Sequence, residues 1–361
     1  MKNLKAKLIA SVAMLLVSTI MLTSASFAWF TISTAPEISG MTTTVVTNET
    51  LEIALDKGYK NEAAVDAAAT NGSLSGDYYT WGNLVNLAAE EGKTNTAYDA
   101  YKNLNKTLRP ATLSKTTSGE GAAATVTATA FKAPNYGPDG RISDLNKALS
   151  TKNAAETANG FGLLIDAGKA DTTTDDVVYG YYIDYWMRSN VGGQVVLSAA
   201  ADRDGSGDAT TGENIHETVG GGSTFKATNT TDTTAVNNAN KTLAANIRVA
   251  FQKITPAAGD ENGARVTTGI IADATTAPVT GAEETATFTG NVINLTPNKA
   301  ELVRVYIYLE GANVKNSDAS IDTAIIGGDL NLQFTIAEVK NDKGEITTNG
   351  VNTSMLTPPA Q

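Results

Sequence analysis

The chain has 361 residues, a net charge of −11 from 27 Lys and Arg against 38 Asp and Glu, no cysteine and one histidine. An acidic surface repels phosphates, which argues against nucleic acid as a partner. The missing cysteines exclude thiol catalysis and disulfide staples, and 361 residues are enough to bury a core without them.

The first residues carry the parts of a secretory leader. Lys2, Lys5 and Lys7 are followed by an apolar run from Leu8 to Leu22, broken by Ser11, Ser18 and Thr19. Ser26 and Ala28 then put small residues where a signal peptidase reads, so residues 1–28 are expected to be removed and Trp29 to become the new N-terminus. The competing reading is an uncleaved anchor, because Leu8 to Phe30 is long enough to span a bilayer. The hydroxyl residues and the small-residue pattern favour cleavage. Removing the leader takes three lysines and no acid, leaving the exported chain more acidic still.

The mature chain would begin "WFTISTAPEISG". Trp29, Phe30 and Ile32 together are worth about 5–8 kcal/mol if buried, and Pro36 bars the segment from a helix interior. Residues 29–40 are therefore expected to form an N-terminal strand segment that pairs on its own sheet or on that of a neighbouring copy. The domain proper follows from residue 41 to about 340, with "MTTTVVTNETLEIAL" as its first strand, and 341–361 form a tail.

Strand patterns dominate that domain. Leu51, Ile53 and Leu55 alternate in "TLEIAL", as do Ile247, Val249 and Phe251 in "NIRVAFQKI". Val303, Val305, Ile307 and Leu309 oppose Arg304, Tyr306, Tyr308 and Glu310, and Leu330, Leu332, Phe334 and Ile336 repeat the pattern. A period of two with polar partners predicts half-buried strands in an antiparallel sandwich or barrel. The aromatic run "YYIDYWMRS" reads as cross-strand core pairs before it reads as a sugar-stacking platform. Two stretches predict helices, 82–108 from Leu84, Leu87, Tyr98, Tyr101 and Leu104, and 143–160 from Ser143 as a cap to Gly160. Thr- and Ala-rich segments such as "KTTSGEGAAATVTATA" are expected to be long loops and short edge strands.

The chemistry is sparse. His216 lies in the polar, Gly-rich "ENIHETVGGG", lacks the second histidine a zinc helix needs, and reads as a solvated loop residue. No glycine-rich stretch has phosphate-loop spacing. No catalytic set and no catalytic cofactor are therefore expected. In "DRDGSGDATTGE", Asp202, Asp204, Ser206 and Asp208 occupy alternate positions of a twelve-residue loop, with Gly207 at the sixth and Glu213 at the last. That is the spacing of a Ca²⁺ loop. The flanks are strand-like where a helix would be needed, which favours a plain acidic hairpin tip.

The leader running into "SFAWFT", the Thr/Asn-rich link and "TLEIAL" resemble the TasA and camelysin group of exported Gram-positive proteins, in which "FAFF" or "YAYF" precedes "AGTLDL". The likeness is specific over residues 1–55 and looser for "LVRVYIYLEG" and "GGDLNLQFTI". It implies a dedicated signal peptidase, a jelly-roll-like β-sandwich, and biofilm-matrix fibres in which an N-terminal donor strand completes the next subunit's sheet. Carried onto this chain, Trp29, Phe30, Thr31 and Ile32 are the donor. The present chain is longer than the short family members and lacks ligands for the metalloprotease activity linked with camelysin. The function expected is thus a secreted, homopolymeric structural protein that meets the membrane only through its leader. The alternative is a monomeric surface adhesin or binding module for glycan or Ca²⁺.

Overall fold

A computed structural model describes residues 37–45, 51–59, 61–70, 79–82, 84–86, 107–121, 124–136, 142–153, 160–169, 177–190, 192–197, 223–228, 244–256, 265–267, 270–279, 282–311 and 327–336. Its strands are, in chain order, β1 (Glu37–Val45), β2 (Leu51–Leu55), β3 (Leu84–Asn86), β4 (Thr107–Leu108), β5 (Thr112–Ser118), β6 (Thr125–Tyr136), β7 (Ile142–Asn153), β8 (Phe161–Asp166) and β9 (Val177–Val178). There follow β10 (Gly180–Ser189), β11 (Gly193–Leu197), β12 (Thr224–Thr228), β13 (Ile247–Pro256), β14 (Arg265–Thr267), β15 (Ala272–Asp273), β16 (Thr275–Val279), β17 (Ala282–Leu295), β18 (Glu301–Leu309) and β19 (Gly327–Ile336). The helix α1 (Glu62–Thr70) lies between β2 and β3.

The strands form two large sheets. Sheet A has the order β11, β17, β12, β19, β1, β3, with β16 added to β17. Sheet B runs β14, β13, β18, β10, β8, β7, β6, β5, with β15 on β13 and β2 on β10. Most pairings are antiparallel; β1 with β19 and the two-residue pair β4 with β9 are parallel. The mainly-β sandwich anticipated from period-two patterning is the observed class.

The apolar residues of the alternating strands meet between the sheets as predicted. Leu51, Ile53 and Leu55, the odd-numbered set of β13 and β18, and Leu330, Leu332 and Phe334 all belong to one buried cluster. Phe334 of sheet A meets Tyr185 and Phe251 of sheet B edge to face, at centroid distances of 6.3 and 6.2 Å. Such offset ring contacts add to the burial of area that drives the two layers together.

The opposite face of sheet B was expected to meet water, and over the central strands β18 and β10 it does not. Sheet B curls until Phe131 of β6 lies 4.9 Å from Tyr306 and 5.0 Å from Tyr308 of β18. Ala111 bridges to Glu310, and Ile271 N–H donates to Thr129 Oγ1 at 2.8 Å, tying the curl at further points. Beside it α1 covers the rest, Val65 packing with Trp186, Ile254 and Leu302. The helix starts where Asn61 Oδ1 accepts the Ala64 N–H, a capping bond that an Ala-rich run then extends. Arg304 thus lies on a face that other strands cover.

Several readings are corrected. The helix predicted over 143–160 is strand β7 over most of its length, laddered to β6 on one side and β8 on the other. Its helical stripe was thin, and two ladders of backbone hydrogen bonds outweigh a weak local preference. Within the helix predicted over 82–108, Leu84–Asn86 and Thr107–Leu108 are strands, and residues 87–106 lie outside the described ones. "MTTTVVTNETLEIAL" is two strands, β1 in sheet A and β2 in sheet B. β1 also begins at Glu37, so the last residues of the 29–40 segment belong to the domain's own sheet, with Gly40 at a register shift. The Thr/Ala-rich stretches, expected as long loops and short edge strands, include two long strands paired on both sides, β6 between β5 and β7, and β17 between β16 and the row of β11 and β12.

Candidate functional site

Trp29, Phe30, Thr31 and Ile32, the leader residues Ser26 and Ala28, the loop residues Asp202, Asp204, Ser206, Asp208 and Glu213, and His216 all lie outside the described residues. What is described is the frame to which these segments attach. β1 follows the aromatic segment at the margin of sheet A. It pairs with β19 along its length, whereas β3 lies beside it only at Thr42–Thr44.

The two strands that flank the acidic segment in sequence, β11 and β12, belong to the same sheet. β11 and β12 run in one direction, end to end, between β17 and β19. Leu197 stands opposite Gly290 and Phe334, and Thr224 opposite Thr287 and Asn331. One row of the sheet is therefore interrupted after Leu197 and resumes at Thr224. Ser223 fills the break. Its carbonyl accepts the Phe288 N–H at 2.9 Å, and its hydroxyl accepts the Gln333 N–H at 2.9 Å while donating to the Gln333 carbonyl at 3.1 Å. A side chain thus does the pairing of the missing backbone for Gln333.

Sheet B has the same device with charges in it. β2 and β8 lie end to end along β10, β2 opposite Tyr185–Ser189 and β8 opposite Gly180–Ile183. They meet at Asp184, whose N–H donates to the Gly160 carbonyl at 2.8 Å and whose carbonyl accepts the Asp56 N–H at 3.0 Å. Gly160 has φ +85°, and a Cβ there would overlap the Asp56 carbonyl. Only glycine fits both demands.

Both aspartates at this junction are fully buried and each is held by an arginine. Arg304 Nε and Nη2 donate to the two Asp184 oxygens at 2.8 and 2.9 Å, a bidentate fork. The same guanidinium lies over the Tyr182 ring, 3.7 Å from its centroid. Arg265 of β14 donates from Nε and Nη2 to Asp56 Oδ2, and Trp186 Nε1 donates to Asp56 Oδ1 at 3.0 Å. Gly58 and Tyr59 N–H groups complete the shell at 3.1 Å. Burial pushes the Asp56 carboxyl above its usual range, opposed by the Arg265 charge. Burial pulls the Arg304 guanidinium down, and Asp184 outweighs it, for a net upward shift. Burial likewise raises the Tyr182 phenol, and raises those of Tyr59 and Tyr306 to about 12.

The chemistry available here is structural. Each carboxylate is held by donors of the fold, Asp184 by Arg304, and Asp56 by Arg265, Trp186 and two backbone N–H groups. The sequence signal for this cluster was Asp184 within "YYIDYWMRS" and Arg304 within "VRVYIY", each a charge set among aromatic and aliphatic strand residues. Asp56 and Arg265 had no such signal, because their partnership spans 209 residues.

The aromatic residues of β10 are core, as the cross-strand reading expects. Tyr181, Tyr182, Tyr185 and Trp186 are all buried, which leaves no sugar-stacking platform on that strand. Trp81, half-buried, has Arg188 over its ring at 4.2 Å and donates to Asp66 Oδ1 at 2.8 Å. Arg188 in turn holds Glu52 and Asp66 at 2.6 and 2.7 Å, fastening α1 to β2 and β10. Among the described residues no cluster of three His, Asp or Glu could hold a metal ion, and no helix is long and apolar enough to cross a membrane. No family model matches the chain, and no curated protein and no solved structure matches it.

Proposed function

We propose that the chain is an exported structural subunit that assembles head to tail into extracellular fibres, the aromatic start Trp29–Ile32 of one copy adding to an incomplete sheet of the next. A heterologous contact of this kind propagates into a filament when its rotation does not close. The observation that carries the reading is the juxtaposition at the N-terminus. An apolar "WFTI" directly follows a cleavage pattern and is joined, through four residues, to a strand at the margin of sheet A. Such a terminus is costly to leave in water, and a sheet margin is where a partner strand adds. A sandwich with an acidic, cysteine-free sequence and a single histidine suits a structural role better than a catalytic one.

The test compares residues 29–361 with residues 37–361, a truncation that keeps β1 whole. The longer protein is expected to form filaments by electron microscopy. The shorter is expected to stay monomeric with unchanged far-ultraviolet dichroism. Filaments grown from the truncated protein, or none from the longer one, would overturn the proposal.

A further inference from the structure

We draw no further inference here: the strongest candidate, the two-stranded ribbon of β5 and β6 that extends exposed beyond Leu113 and Phe131, carries nothing because no feature of the structure shows what covers it.

Discussion

Asp184 lies between Ile183 and Tyr185 in the most aromatic strand of the molecule, and its charge is tolerable only because Arg304 meets it with two parallel hydrogen bonds. Breaking a buried pair by removing one partner leaves an uncompensated charge. Asp184→Ala is therefore expected to lower stability by about 3–5 kcal/mol in chemical denaturation. The double variant Asp184→Ala/Arg304→Met is expected to recover much of that loss, because an apolar pair leaves nothing unsolvated. A double variant as unstable as the sum of the singles would show that the pair is not the source of the effect. Ser223 presents a smaller case. Ser223→Ala leaves the Gln333 N–H without its partner in a buried row, a loss of about 1–3 kcal/mol on the same assay.

Among the elements, the split rows explain how so many insertions coexist with regular sheets. β2 with β8, and β11 with β12, each behave as one strand with a segment spliced into it, and the splice is sealed by Asp56 and Gly160 or by Ser223. Open edges need guarding, because an unpaired strand recruits other chains. β16 carries Pro278, and β5, whose outer edge has no neighbouring strand beyond Ala111 among the described residues, carries Lys115. Lys115→Val removes a charge from that exposed edge and adds a β-former. It is expected to raise self-association with no loss of folding, read by light scattering. A variant that stays monodisperse would mean that the charge does not guard the edge. β7 shows the limit of local reading: "SDLNKALSTKN" has a helix-like start, and only its neighbours β6 and β8 make it a strand.

At the scale of the whole molecule, the central strands β18 and β10 of sheet B are buried on both faces, by sheet A on one side and by the sheet's own curl with α1 on the other. Tyr306 on the curled face and the half-buried Tyr59 after β2 report burial. The folded state holds the Tyr59 and Tyr306 protons up to pH about 12, against about 10 in the unfolded chain. The sign follows from linkage: this contribution to stability is complete below pH 10 and is lost as pH rises through about 12. Denaturation midpoints are expected to hold up to about pH 9 and fall steeply above pH 10, with tyrosinate absorbance rising as the protein unfolds. Tyrosinate that develops fully at about pH 10 in a folded protein would contradict the curl. Fibre growth, by contrast, is expected to depend on residues 29–36 and to be insensitive to the Asp184 and Ser223 variants under conditions where these remain folded.

The sequence by itself determined the class of fold and the inter-sheet core, since period-two alternation in β2, β13, β18 and β19 states which side chains share a face. It also determined that β10 is core, because aromatic residues on both faces of a strand leave no face for water. Only the tertiary structure decided that the second face of sheet B is covered over β18 and β10, that β1 pairs parallel with β19, and that Arg265 closes on Asp56. These are contacts between residues far apart in the chain. Their free energy depends on chain closure and shared burial, quantities with no local periodicity to betray them.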